Sequence, residues 1–229
     1  MGFSQYQVGT APRVLSGLER ASLVRRTYGL VFVGIVVTLL GAAFATTQPS
    51  LMYAVAAHPF ISAICWFVPL FMAQSQARNF PRNIILTLLF TFIVGIWLAP
   101  MLVFYAKMQP GVLAQAGVLT FSTFGILTLY AMFSRRDFSA WGGFFIVGLW
   151  VLLGTMVLGF FFPSVGGSMW ISGAGVFVFA GLLVFDTWRI TRSGRFSDQD
   201  YVFAAVTIYL DLLNLFLFIL SLLGGNRRN

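Results

Sequence analysis

The sequence predicts an all-α integral membrane protein with seven transmembrane helices. Of its 229 residues, 59% are hydrophobic and only 9% are charged, whereas soluble domains carry about 25% charged residues. The apolar residues run continuously over stretches of about 20 residues, the length that crosses a bilayer as a helix. Strands of a membrane barrel would alternate apolar and polar residues instead, so a helical bundle is expected.

Seven apolar segments approach the length of a spanning helix. They cover residues 29–46, 51–73, 83–106, 112–133, 141–162, 168–187 and 202–223. The second is the weakest, because His58–Pro59 and Pro69 interrupt it and proline has no N–H for the helix ladder. A kink or a shorter helix is expected there. Residues 1–28 are the predicted N-terminal tail, 29–224 a single membrane domain, and 225–229 a short C-terminal tail.

The basic residues indicate the orientation. With seven spans, eleven arginines lie in the N-terminal tail and the connections on its side, against three basic residues on the other side. By the positive-inside rule the N-terminus is cytoplasmic and the C-terminus outside. The net charge of +8 is then explained by loops beside anionic head groups. The expected partner is the lipid bilayer, with no nucleic acid.

Several classes of enzyme are disfavoured by composition. The only lysine, Lys107, lies in no phosphate-binding loop, and the chain has one histidine, one cysteine and no H-E-x-x-H motif. Serines and threonines in the helices have no histidine base nearby. We expect no enzymatic activity and no permanently bound cofactor.

Two carboxylates stand out because they lie in apolar segments. Asp211 is about ten residues into the last segment, so about 15 Å along its axis, where a charge costs roughly 2.5–3.5 kcal/mol. Asp186 closes the preceding segment, "GLLVFDTWRI". The two helices are consecutive and antiparallel, so both side chains could meet in the same half of the bundle. Such a pair would share one proton, and when deprotonated would attract a hard cation such as Ca²⁺.

Other interpretations of these acids stay open. Asp186 could simply pair with Arg189 at i+3, and Asp211 could be an isolated protonated acid bonded to a neighbouring hydroxyl or carbonyl. Thr207 at i−4 and Asn214 at i+3 share one side of the helix with Asp211. These two residues predict a polar face that supports the acid.

The C-terminal third resembles a known family. "GLLVFDTWRI", followed after a short loop by "YVFAAVTIYLDLLNLFLFILSLLG", closely resembles the C-terminal signature of the Bax inhibitor-1 (TMBIM) family. The bacterial YccA/YetJ-like branch is the nearest fit. "LVRRTYGLVFVGIVVTLLGA" in the first segment and "WLAPML" in the third are also similar. The resemblance covers about residues 25–225 and is most specific over 180–224.

The resemblance implies a fold and a function. The fold is a seven-helix bundle whose last helix is central and surrounded by the other six. In YetJ-like members of the family an aspartate pair, one on each of the last two helices, acts as a pH sensor for a Ca²⁺ leak, and the matching residues are Asp186 and Asp211. They are also the implied, tentative Ca²⁺ ligands, with Ca²⁺ as the permeant ion. An arginine that latches onto the first of these aspartates is expected at Arg78, or else at Arg82.

The family resemblance also leaves a second function open. Members of the YccA-like branch bind the membrane protease FtsH and restrain it, which here would involve the basic tail Met1–Arg26. A proton-coupled transporter is a third, weaker interpretation. In each case we expect a multi-pass protein of the bacterial inner membrane, monomeric or weakly oligomeric.

Overall fold

The computed structural model describes residues 17–76, 78–161 and 168–225, and this part of the chain is helical throughout, with short connections. Most of the predicted tail (1–16) and the last residues (226–229) therefore lie outside the described residues. The α-helices are α1 (Gly17–Thr46), α2 (Pro49–Ala57), α3 (Pro59–Ser75), α4 (Arg82–Met108), α5 (Val112–Phe133), α6 (Ser139–Phe161), α7 (Met169–Arg192) and α8 (Tyr201–Gly225). A single 3-10 turn, Asp198–Asp200, leads into α8.

Five described helices are long and apolar enough to cross a membrane, namely α1, α4, α5, α7 and α8 with its 3-10 turn. In α6 a shorter apolar stretch, Ser139–Thr155, has the same character. Large apolar side chains also cover the outside, as a lipid-facing surface requires: Phe32, Trp150 and Trp170 are each more than half exposed. The chain is thus a helical membrane protein, while the count of seven spans stays a prediction.

The predicted second span is divided into α2 and α3 at His58. Pro59 has no N–H to donate to the carbonyl of Val55, four residues earlier. The Ser62 hydroxyl lies 3.5 Å from that same carbonyl oxygen. The interruption seen in the sequence is therefore a break between two helices, neither of which reaches 18 residues.

The first helix begins at Gly17, well before the predicted start at residue 29. Its polar first turns remain helical because one face packs on the bundle: Leu23 and Thr27 are fully buried. Arg25 and Arg26 lie on the exposed face. Hydropathy alone predicts that the helix begins after these arginines, whereas packing against the bundle extends its N-terminal end back to Gly17.

Arginines bring several connections to one end of the bundle. Arg26 of α1 pairs with Asp198, and Arg78, just before α4, pairs with Asp200. At the end of α7, Arg192 donates to the carbonyl of Met132 in α5. We call this the arginine-rich end; these contacts agree with the predicted grouping of the basic connections on one side.

The last helix is the most buried of the candidate spans. It packs against α7, α1, α5 and α4. Phe90, Val94, Ile208 and Leu215 are among the core side chains with almost no exposed surface. Because α8 is covered on several sides, a polar group on it is shielded from lipid.

Helices α1 and α4 approach each other closely through Gly41 and Gly95. A Cβ at Gly95 would overlap the Thr38 carbonyl oxygen, and one at Gly41 would overlap the carbonyl of Phe92. Small residues allow this backbone proximity, which helix packing in membranes depends on.

We therefore expect Gly95→Ala to lower the thermal unfolding midpoint of the detergent-purified protein. Overpacking of this kind costs about 1–3 kcal/mol, and here the obstacle is backbone that cannot rotate away. Gly125→Ala in α5 is the matched control, because its added Cβ meets nothing within 4 Å. Equal midpoints for both variants would contradict the close α1–α4 contact.

Candidate functional site: a buried aspartate pair

The last two helices bring Asp186 and Asp211 together. Asp186 lies near the C-terminal end of α7, and Asp211 lies well inside α8. Their side chains are within hydrogen-bonding reach of each other. The residues are 6% and 5% exposed, so bulk water does not screen them. The antiparallel helices had suggested that these two side chains could meet, and in the structure they lie close together.

Part of the hydrogen-bonding capacity of the pair is unused. Asp186 Oδ1 and Asp211 Oδ2 are buried and accept no hydrogen bond within the described part of the chain. Two carboxylate groups offer only acceptors, so a hydrogen bond between them requires a proton on one of them. The contact thus has the arrangement that proton sharing between the two groups would need.

One cation stands beside the pair. Arg189 Nη1 lies 3.4 Å from Asp186 Oδ1, one turn further along α7. The guanidinium also lies over the rings of Phe185 and Phe196, at 5.8 and 5.4 Å from their centroids. The i+3 pairing that the sequence left open is thus present, and it occurs together with the contact to Asp211.

A hydroxyl cluster adjoins the acids, and sequence analysis missed it. The Tyr28 hydroxyl of α1 is 3.0 Å from Thr187 Oγ1, on the residue after Asp186. Thr128 of α5 lies beside the same hydroxyl, and Asp211 is near enough for its charge to act on Tyr28. Thr187 could have been found as a neighbour in sequence, but nothing in the pattern joins Tyr28 and Thr128 to α7.

Thr207 and Asn214 do not reach the acids in this structure. The Thr207 hydroxyl donates to the Phe203 carbonyl at 3.0 Å, and the Asn214 amide donates to the Leu210 carbonyl at 2.8 Å. Both side chains are half-buried. Such bonds to the carbonyl four residues earlier are the usual local alternative for these side chains within a helix. That Thr207 and Asn214 support Asp211 stays a prediction, and their hydrogen bonds in this structure are to their own helix.

The two latch candidates also lie away from Asp186. Arg78 donates through Nε and Nη2 to Asp200 Oδ1, at 3.1 and 2.8 Å. The other oxygen of Asp200 accepts from the backbone and hydroxyl of Ser197. Arg82 is exposed at the start of α4. In this structure the arginine beside Asp186 is therefore Arg189, and Arg78 instead fastens the turn before α8.

The pair offers few ligands for a resident metal ion. No group of three or more His, Cys, Asp or Glu side chains that could hold a metal occurs among the described residues. Ca²⁺ takes six to eight oxygen ligands, and two carboxyl groups supply four at most.

Comparison with known proteins gives a consistent result. Residues 20–228 match the family described as "Inhibitor of apoptosis-promoting Bax1". An "Uncharacterized membrane protein" of Vibrio cholerae is 34% identical over 93% of each chain. "Bax inhibitor 1" of Schizosaccharomyces pombe is 31% identical over 92% of this chain and 79% of its own. A "Golgi anti-apoptotic protein" of vaccinia virus is 30% identical over 89% and 85%.

From this pair of acids we expect the stability of the folded protein to fall as the pH rises. Full deprotonation places two negative charges together, which costs about 4 kcal/mol at 4 Å and an effective dielectric constant of 20; Arg189 offsets part of this. The thermal unfolding midpoint should therefore decrease with pH in the wild type. In Asp186→Asn, where one charge is removed and an amide donor is gained, this decrease should become smaller, because only the burial of Asp211 then remains to favour its protonated form.

Asp137→Asn is the matched control for this measurement, because Asp137 is exposed and caps Ser139 at the start of α6. Its pH profile should follow that of the wild type. A decrease that persists unchanged in Asp186→Asn would mean that other groups cause it.

Proposed function

Since this chain belongs to the Bax inhibitor-1 family, we propose that it is a pH-sensitive cation leak channel of the bacterial inner membrane, with Ca²⁺ as the permeant ion. The observation that carries the proposal is the buried contact between Asp186 and Asp211. Intramembrane acids are costly and are rarely kept without a function. Here two of the chain's six acids meet on adjacent helices.

The proposed switch has two charge states. With one shared proton, the pair is a hydrogen bond that joins α7 to α8, and Arg189 balances its single negative charge. Without that proton, the two carboxylates repel each other and become a doubly negative oxygen site. A repulsion of about 4 kcal/mol is close to the roughly 5.5 kcal/mol that moves an equilibrium from 1:99 to 99:1. The titration of one proton is thus of the right size to change how the two helices pack.

The proposed topology places this switch near the cytoplasm. Seven spans with the last one central would put Asp186 close to the arginine-rich end, which the positive-inside rule assigns to the cytoplasmic side. The burial of α8 and its packing against four other helices favour a central position. Protons would then reach the pair from the cytoplasm by a short route past Arg189, whose side chain is 26% exposed.

Calcium flux into proteoliposomes tests the function directly. The wild-type protein should carry Ca²⁺ at a rate that changes with pH, because the pair gains or loses its proton. Asp211→Asn should abolish that pH response, since the remaining Asp186 then has an uncharged neighbour. Asp137→Asn, on an exposed acid that caps α6, should keep the wild-type response.

An Asp211→Asn protein with unchanged flux and an unchanged pH response would overturn the proposal. Wild-type vesicles that leak no faster than empty vesicles at any pH would do the same. A fluorescent Ca²⁺ indicator inside the vesicles serves both comparisons.

A further inference from the structure

A large cavity opens at the arginine-rich end, and neither Asp186 nor Asp211 lines it. Its volume is about 730 Å³, and it lies between α1, the start of α4 and the turn before α8. Arg26 and Arg78 line its polar part, and Val33 and Leu88 are among the apolar side chains of its wall. The cavity thus joins two guanidinium groups to a hydrophobic surface.

The arginines are held in place by acids that do not line the cavity. Arg26 Nη1 contacts Asp198 Oδ2 at 3.0 Å, and Arg78 contacts Asp200 Oδ1 at 2.8 Å. Their side chains are nevertheless 51% and 69% exposed. Arg26 Nε and Nη2, and Arg78 Nη1, make no hydrogen bond within the described part of the chain. A guanidinium has five N–H donors in a rigid fork, so each arginine is oriented and still has donors left.

The cavity has a polar end and an apolar wall, as a site for an amphiphilic ligand would. Val33 is seven residues beyond Arg26 on α1, so about 10 Å deeper along the helix, and it is 44% exposed toward the surroundings. Gly29, between them, also lines the cavity, and a Cβ there would meet nothing within 4 Å. The polar end of the cavity is thus continuous with an apolar wall about 10 Å further along α1.

We propose that this cavity binds an anionic phospholipid, with its phosphate on Arg26 and Arg78 and an acyl chain along Val33 and Leu88. Arginine forks match phosphate oxygens in geometry as well as in charge. Basic pockets between membrane helices are suited to such head groups. The proposal requires only that the chain is a membrane protein and is independent of the ion-leak function.

Native mass spectrometry of the full chain in detergent tests the site. Phosphatidylglycerol and phosphatidylcholine with identical acyl chains are titrated separately. The wild type should retain one phosphatidylglycerol more tightly than phosphatidylcholine. Arg26→Gln and Arg78→Gln should each weaken that binding about fivefold, since one basic side chain near an anionic surface contributes about that much. Arg82→Gln, on an exposed arginine outside the cavity lining, should leave it unchanged.

A second pair of variants tests the space rather than the charge. Gly29→Phe fills the cavity, retains both arginines and should abolish the retained phosphatidylglycerol. Gly143→Phe is the control, because Gly143 is an exposed glycine of α6 whose added Cβ also meets nothing within 4 Å. If Gly29→Phe does not elute as a folded protein, the arginine variants decide the matter.

Equal retention of the two lipids by the wild type would overturn the proposal. So would undiminished phosphatidylglycerol binding in folded Gly29→Phe or in both arginine variants. An added arm uses inorganic phosphate as competitor: displacement of the lipid by millimolar phosphate would identify a site for the free anion and contradict a lipid occupant. Retention of the lipid under that competition supports the proposal.

Discussion

Two carboxyl groups meet inside a helical bundle, where they are almost fully shielded from water. The polar side chains around them therefore have to compensate for the lost hydration. Asp186 and Asp211 sit on consecutive antiparallel helices, within hydrogen-bonding reach. Charging both is expensive in a medium of low dielectric constant, and the proposed shared proton would remove one of the two charges beside Arg189. Tyr28 and Thr187 add a hydroxyl layer from α1 and α7. The site thus links three helices through few polar atoms.

The connection between α7 and α8 ties this site to the arginine-rich end. Asp198 and Asp200 are fastened to α1 and to the segment before α4 by Arg26 and Arg78. The start of α8 is therefore fixed by exposed ion pairs, whose individual contribution is about 0–1 kcal/mol, while its middle is fixed by the buried pair. Asp200 and Asp211 are thus only eleven positions apart in the sequence, and the residues between them lie in α8. A shift of this helix at one of the two contacts would therefore move the other.

Much of the fold could be predicted from the apolar segments, because the bilayer sets their length. The helix predicted at 112–133 is found at Val112–Phe133, and the interruption at His58–Pro59 is a break between helices. Two antiparallel neighbours allowed an approach of Asp186 to Asp211, but the contact itself depends on how α7 and α8 pack. The sequence did not predict that Tyr28 lies beside the acids or that Arg78 pairs with Asp200. Both contacts depend on how α1 and the α3–α4 connection pack against α7, α8 and the turn before α8. Side chains at favourable spacing, such as Thr207, bond instead to their own helix.

Infrared spectroscopy measures most directly whether Asp186 and Asp211 share a proton. Protonated carboxyl groups have a C=O stretching band that carboxylates lack. We expect the wild-type protein in lipid to keep such a band at neutral pH, and we expect the band to disappear in Asp211→Asn, to shift in Asp186→Asn and to be unchanged in Asp137→Asn. A wild-type spectrum without a protonated carboxyl band at neutral pH, or a band that both pair variants leave unchanged, would contradict a shared proton.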